Sequence, residues 1–425
     1  MEQKVYDTYT DILHRELIVA MGCTEPIAIA YAGALAKKLL GCLPERVELG
    51  CSGNIIKNVK GVTVPNSGGM RGIEIAALLG ITGGDADRCL AVLERVNDEQ
   101  RAQAKALLEQ GVCHTTLIEG EENLDIVLSA FAKEDEVLVE IRGTHTNVVR
   151  LEKNGVSQLK TMPQQIAQEA QPDKTLLNVK DILHYGETVD LEQIRSVLER
   201  QMECNDAIAK AGLSQEYGAC VGSTLHEMYG SEMPEMRAAA AAAAGSDARM
   251  NGCPMPVVIN SGSGNQGLTI TLPVLIYAAH LKAGREKTLR ALAIANLMSV
   301  HQKRYIGSLS AYCGATSAAC SSAVAICWMM GGTYEQICGV ITNTLATIGG
   351  MLCDGAKSSC ASKIATAVYA ALLSVRLSLE GRCFEPGEGL VASNVEATIQ
   401  DIGYVAREGM RKADVEILKL MLENH

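Results

Sequence analysis

Met351-Leu352-Cys353-Asp354-Gly355-Ala356-Lys357-Ser358-Ser359-Cys360 breaks a chain that otherwise reads as helix from residue 191 almost to its end. Were residues 353 to 360 one straight helix, the two cysteines would share a face but stand roughly 10 Å apart along the axis, at about 1.5 Å per residue. That is too far to share one small cofactor. The Asp354-Gly355 pair lets the segment fold back, so the two thiols can serve one site only as loop residues.

Working outward, apolar periodicity predicts helices over 191–211, 235–249, 268–298, 314–330, 334–348, 361–378 and 392–423. The run from Ala238 to Ala244 reads as a helix whose neighbours approach closely. Towards the N-terminus, residues 4–20 carry a helical pattern and a second helix starts near Pro26 and runs to Leu40. Between them, in Met21-Gly22-Cys23-Thr24-Glu25-Pro26, Gly22 interrupts, Thr24 or Glu25 can cap, and Pro26 suits a first turn. Residues 45–190 have a mixed texture: a strand over 47–51, helices over 73–80 and 86–109, and a strand pair over 137–141 and 148–151. No fixed-period repeat is present. The expected fold class is α+β, with a mixed α/β domain (45–190) inserted between N-terminal helices (1–44) and a mostly helical domain (191–425) on which those helices pack.

With 48% hydrophobic residues but one Trp and two Phe, the core must be built from Ala, Leu, Ile, Val and Met, which favours closely packed helices. A net charge of -11 without a basic stripe argues against a nucleic-acid partner. The start, Met1 to Asp7, lacks a basic segment followed by an apolar one, and runs such as Leu272 to Leu281 stop short of a bilayer span. The expectation is a cytoplasmic protein with no membrane partner.

In a reducing compartment, disulfides are the least expected use of the 15 cysteines, and most read as small core residues. Cys320 and Cys327 lie in uninterrupted helical texture, and Cys42, Cys51, Cys89, Cys113, Cys204, Cys220, Cys253, Cys338 and Cys383 are read the same way. Cys313, in Ala311-Tyr312-Cys313-Gly314-Ala315, joins Cys353 and Cys360 as different. Each sits beside a helix break, where backbone N–H groups can turn towards a charged cofactor, as an iron-sulfur cluster requires. Core packing stays open as the alternative. Cys23 precedes a helix start whose partial positive charge would stabilise a thiolate, making it a candidate base, nucleophile or iron ligand beside a plain structural thiol.

Ser261 to Gly267 satisfies G-x-G-x-x-G after a strand-like Val257-Val258-Ile259, yet helix follows helix beyond it and the second strand of a dinucleotide site is missing. As a loop before a helix, its Ser261 and Asn265 can hold a carboxylate. Ser52 and Asn54, in the loop that also carries Lys57 and Asn58, can do similar work, plain turns being the alternative for both loops. Gly350 to Gly355 has the outer spacing of a phosphate loop, but Ala356 stands where its Lys belongs. His145 falls at the turn of the strand pair, and Lys303 or Arg304 can neutralise a substrate carboxylate, a solvated face being the alternative. No spacing suits a zinc site.

Gly22-Cys23-Thr24-Glu25-Pro26, Ser52-Gly53-Asn54, Ser261 to Gly267, Cys313-Gly314 and the Cys353 to Cys360 segment together resemble the iron-sulfur L-cysteine desulfidase family. A more distant likeness is to the iron-sulfur L-serine dehydratases, with Cys-Gly-x-x-x-Ala at a helix start, Gly331-Gly332 beyond it and a later Cys-Asp pair. The resemblance implies that the C-terminal half is a cluster domain in which Cys313, Cys353 and Cys360 hold a [4Fe-4S] cluster with one open iron. It also implies a lyase that splits L-cysteine into sulfide, pyruvate and ammonia, the cluster acting as Lewis acid and Cys23 as the favoured base. The serine enzymes can offer a terminal Cys to the fourth iron, whereas this sequence closes on Glu423-Asn424-His425. Rival readings are the same elimination on L-serine or another β-substituted amino acid, and a non-catalytic iron-sulfur sensor or electron carrier. Lys357 and Lys363 keep a pyridoxal cofactor open. The expected partner is a small amino acid, with a homodimer as an option.

Overall fold

The computed structural model describes residues 1–120, 122–159, 171–230, 232–307 and 310–423, so Asn424 and His425 lie outside it. The chain begins with helix α1 (Gln3–Glu16), strand β1 (Val19–Met21) and helix α2 (Thr24–Leu40). Gly22, at φ +56°, makes the turn between strand and helix, and Cys23 rather than Thr24 or Glu25 is the N-cap. A side chain at Gly22 would meet the Pro65 ring, so glycine is needed there twice over.

Strand β2 (Arg46–Ser52) alternates exposed and buried residues up to its last turn, then passes into the short helix α3 (Gly53–Val59). Helices α4 (Ile73–Gly83) and α5 (Asp98–Glu109) follow, then strands β3 (Cys113–Ile118), β4 (Asp125–Ala132), β5 (Asp135–Arg142), β6 (Val148–Lys153) and β7 (Val156–Ser157). They form a six-stranded sheet in the order β3-β2-β4-β5-β6-β7, with β2 parallel to β3 and every other pair antiparallel. The helix predicted over 86–109 is in fact interrupted. Cys89 at φ +46° ends a 3-10 turn, and Asn97 and Gln100 form a reciprocal cap that starts α5 anew.

Helix α2 is buried on nearly every side, lying on α4 and on strands β4 and β5. Its crossing with α4 is backbone against backbone. A Cβ on Gly80 would stand 2.0 Å from the Ala30 carbonyl oxygen, and one on Gly33 2.4 Å from that of Ala77. Two glycines therefore set the interaxial distance.

The helical part comprises α6 (Val179–Thr188), α7 (Arg195–Ser214), α8 (Val221–Tyr229), α9 (Pro234–Met250), α10 (Gly264–His280), α11 (Arg285–Ile306), α12 (Gly314–Met329), α13 (Tyr334–Ile348), α14 (Cys360–Leu379), α15 (Val395–Tyr404) and α16 (Arg411–Glu423). Strand β8 (Pro256–Val258) pairs antiparallel with β1, with Val19 opposite Val258. At the centre stands α9, packed by α7, α8, α10 and α14. Its alanines permit that crowding, since a Cβ on Gly212 would reach within 2.0 Å of the Ala244 carbonyl oxygen.

The predicted 268–298 stretch divides at Lys282, which has φ +52°, into α10 and α11, and 392–423 divides at a π turn over Val405–Gly409. Helix α14 has the length and composition of a membrane span, yet it packs against α9, α12 and α13 in the bundle. Cys320 and Cys327 are buried in α12 as expected, whereas Cys42 and Cys383 are exposed, contrary to the packing role read for them.

Candidate active site

Residues 311–313 and 351–353 run side by side as a small antiparallel bridge: Tyr312 faces Leu352, the Cys313 amide donates to the Met351 carbonyl at 2.9 Å, and the Cys353 amide to Ala311 at 2.6 Å. The bridge brings two thiols together from segments forty residues apart. Cys313 is the N-cap of α12, Cys353 lies in the loop and Cys360 is the first residue of α14, so the segment is broken as its spacing requires. The Cys313 thiol donates to Cys353, and this contact, with burial, pushes Cys313 up. The same contact holds Cys353 below the ordinary thiol range, burial opposing and Lys57 helping.

All three cysteines line a single cavity of about 880 Å³. Its wall also includes Cys23, Glu25, His145, Arg249, Ser261, Asn265, Gln266, Lys303 and Arg304. Cys23, predicted to stand far off in sequence but near in space, packs with Val62 and Met250 in a small apolar cluster that Ala356 and Cys360 adjoin. Four helices, α2, α10, α12 and α14, begin at this wall, so their partial positive ends meet there. Five cationic side chains against two carboxylates line it, which makes an acidic protein's interior receptive to anions.

The Cys23 thiolate expected from the helix start is not what the surroundings favour. Cys23 is 2% exposed, and its thiol donates to Glu25 Oε2 at 3.0 Å. Burial, then the Glu25 charge, pushes the thiol well above its ordinary value, with Arg249 pulling the other way. The Thr24 hydroxyl lies 3.1 Å from both Glu25 Oε2 and the Gly262 carbonyl, tying the α2 start to the α10 loop. His145 Nε2 stands 4.0 Å from Glu25 Oε1 and has no hydrogen-bond partner, and burial lowers the imidazole's pKa.

Ser261 and Asn265 reach the cavity, but Ser52 and Asn54 do not line it. The Ser52 hydroxyl joins Asn123 and Asp125 at the start of β4, and the Asn54 amide donates to the Asn123 side chain. Asn58, from the same loop, lines the cavity instead. The glycines of the Ser261 turn answer the dinucleotide pattern in one respect only: a Cβ on Gly267 would come 2.1 Å from the Val258 carbonyl oxygen. Close helix-strand packing accounts for it, and β8 has β1 alone as its partner.

Lys303 is buried, not part of a solvated face, and burial brings its pKa down to about 8 against the opposing pull of Cys353 and Cys313. Arg304 is committed to the wall, donating to the Lys174 carbonyl at 2.6 Å and stacking on the Tyr305 ring. Lys357 and Lys363 both pair with Asp354. Burial opposes the Asp354 charge, yet the two ammonium groups hold its pKa at about 2.

The donor set is one of soft thiols with ammonium groups close by, the chemistry that suits an iron-sulfur cluster. Among the described residues no three His, Cys, Asp or Glu side chains converge tightly enough for a single metal ion. A cluster makes a different demand, because each thiolate binds its own iron. Sequence reading missed three wall residues, Glu25 as more than a cap, Arg249 and Gln266. An available signal was the pair Asp247 and Arg249 just after the alanine run, since charges next to so apolar a stretch are drawn into the interior with it.

The serine dehydratase alpha chain family matches residues 87–419, which takes in Arg249, Gln266 and all three clustered cysteines. A UPF0597 protein of Lachnoclostridium phytofermentans is 47% identical over 420 residues, covering 98% of this chain and 100% of its own. Similar proteins of the same name come from Desulfitobacterium hafniense, 45% identical over 421 residues (99% and 98% covered), and Finegoldia magna, 46% over 417 (98% and 99%). On the extent of these matches, the chain belongs to the serine dehydratase alpha-chain family.

Proposed function

We propose that this chain is a cytoplasmic lyase that cleaves the C–S bond of L-cysteine by β-elimination, with a [4Fe-4S] cluster held by Cys313, Cys353 and Cys360. Family membership makes it a lyase-type enzyme of the amino-acid dehydratase kind. The observation that carries the finer reading is that these three thiols share one cavity with the Cys23–Glu25 pair. When bound, a cluster with one iron free of protein ligands supplies a Lewis acid for the substrate's β-thiol.

The chain's own residues manage the protons. Cys23 Sγ removes the Cα proton while its thiol proton passes to Glu25 Oε2, so no free thiolate has to persist in a buried site. His145 stands ready to hydrogen-bond the substrate through its unpartnered Nε2. Loss of the Cα proton and of the β-sulfur as sulfide leaves aminoacrylate, which tautomerises and takes up water to give pyruvate and ammonia.

The test is anaerobic reconstitution with iron and sulfide, followed by sulfide release from L-cysteine and pyruvate formation from L-serine. Iron-dependent sulfide release at the higher kcat/KM supports the reading. The family name favours the second reading, dehydration of L-serine, and preferential turnover of serine would replace the first. Turnover of either without iron, or undiminished in Cys353→Ala and Cys360→Ala, overturns the cluster mechanism.

A further inference from the structure

Arg249 closes helix α9 beneath the cavity, only 2% exposed. Its Nε donates to the Gly22 carbonyl at 2.9 Å, and no carboxylate among the described residues forms an ion pair with it. The guanidinium also presses on the start of α10, where a Cβ on Gly264 would lie 2.3 Å from Arg249 Nε. The C-terminal end of α9 favours the Arg249 charge, but the start of α10 and the loss of solvent oppose it, and no carboxylate among the described residues pairs with it directly. An anionic ligand would offset the opposing part.

Beside it stand two acceptors that also lack partners. Gln266 is 5% exposed with its Oε1 unpaired, and Asn265 Oδ1 is buried and unpaired. The Gln266 amide lies against Gly314, the residue after Cys313, since a Cβ on Gly314 would stand 2.8 Å from the Gln266 amide carbon. An unpaired cation and two unpaired amide oxygens on one wall present the complement of an α-amino acid: carboxylate at one end, ammonium at the other.

We propose that Arg249 is the anchor of the substrate carboxylate and that Gln266 and Asn265 accept from the substrate ammonium. This assignment rests on the amino-acid lyase reading for its substrate class. Lys303 and Arg304, the cations nearest in sequence to Cys313, are then positioning residues of the wall.

The test uses the reconstituted protein and L-alanine, which keeps both polar ends but has no β leaving group, beside L-alaninamide, which lacks the carboxylate. Calorimetry is expected to show the wild type binding L-alanine about 100-fold more tightly than the amide. Arg249→Gln is expected to erase that preference, and Arg249→Lys, which keeps a point charge without the planar fork, to retain roughly a tenth of it. Melting curves establish which variants are folded, and Arg249→Lys carries the test if Arg249→Gln is not. An acid-over-amide preference unchanged in a folded variant, or absent from the wild type, overturns the anchor. If the preference depends on Arg249 while neither cysteine nor serine is turned over, the anchor stands and the elimination reading fails.

Discussion

The Sγ of Cys23 and the Oε2 of Glu25, two residues apart across the first turn of α2, stand 3.0 Å from each other with the thiol as donor. On the proposed mechanism the pair acts as one unit, the thiol proton passing to the carboxylate as the Cα proton is taken. Glu25→Gln preserves shape and an acceptor oxygen but removes the proton's destination. It is expected to lower kcat about 10²- to 10⁴-fold, the usual span for a lost acid–base group. Iron content should stay at the wild-type level, and iron analysis beside kcat checks both halves. A Cys23→Ala protein that loses iron would make Cys23 a ligand instead.

Cys313, Cys353 and Cys360 line the cavity, whereas Cys327 is buried in α12 away from it. Replacing any of the three with Ser is expected to reduce the iron and sulfide retained after reconstitution, with loss of the visible absorption of the cluster. Cys327→Ala, buried in α12, is expected to keep the cluster and lose only stability, by about 1 kcal/mol. Metal analysis against thermal melting separates the two effects.

Asp247 on α9 accepts the Gly222 amide at 2.9 Å at the start of α8, and its other oxygen has no partner. Burial raises its pKa to about 6, with the amides of Gly222 and Val221 opposing. A carboxyl raised in the folded state stabilises fully below its unfolded value near 3.8, and that contribution is lost as pH rises through about 6. The loss amounts to about 3 kcal/mol by linkage. Asp247→Asn escapes it, so the stability of the variant relative to wild type should grow between pH 4 and 6 and level off above. Urea denaturation at several pH values measures the difference.

Gly80→Ala on α4 places a methyl group 2.0 Å from the Ala30 carbonyl oxygen, which is backbone and cannot swing aside. The substitution is expected to cost about 1–3 kcal/mol as α2 and α4 part. Gly120→Ala, with nothing within 4 Å, is the matched control and should be neutral.

Much of the site is legible in the sequence where a helix boundary carries the signal. Cys313 before Gly314, Cys360 after the Asp354-Gly355 break and Cys23 before Pro26 all sit at such boundaries, and all three reach the cavity. The strand pair β5–β6 was readable from its runs of β-branched and apolar residues, and His145 from the turn that joins it. Polar loop residues carry no such direction. Ser52 and Asn54 look as suited to a ligand as Ser261, yet their partner is Asn123, in the segment that leads into β4. Arg249 was hidden by the opposite fault, for a helix of alanines reads as packing alone and its burial depends on four neighbours from distant parts of the chain. Strand β3 escaped for a related reason, because it fully buries Cys113 alone and carries little alternation.

The two-stranded pairing of β1 with β8 sets a timetable for biosynthesis. Val19 leaves the ribosome roughly 240 residues ahead of Val258, which at about 5–20 residues per second is on the order of ten to fifty seconds. The turn that carries Cys23 has no strand to lean on throughout that interval. Cys360 emerges later still, about a hundred residues after Val258, so the three thiols of the cavity are all present only after the β1–β8 pair can form. On the proposed reading, a cluster can be loaded only after Cys360 has been made.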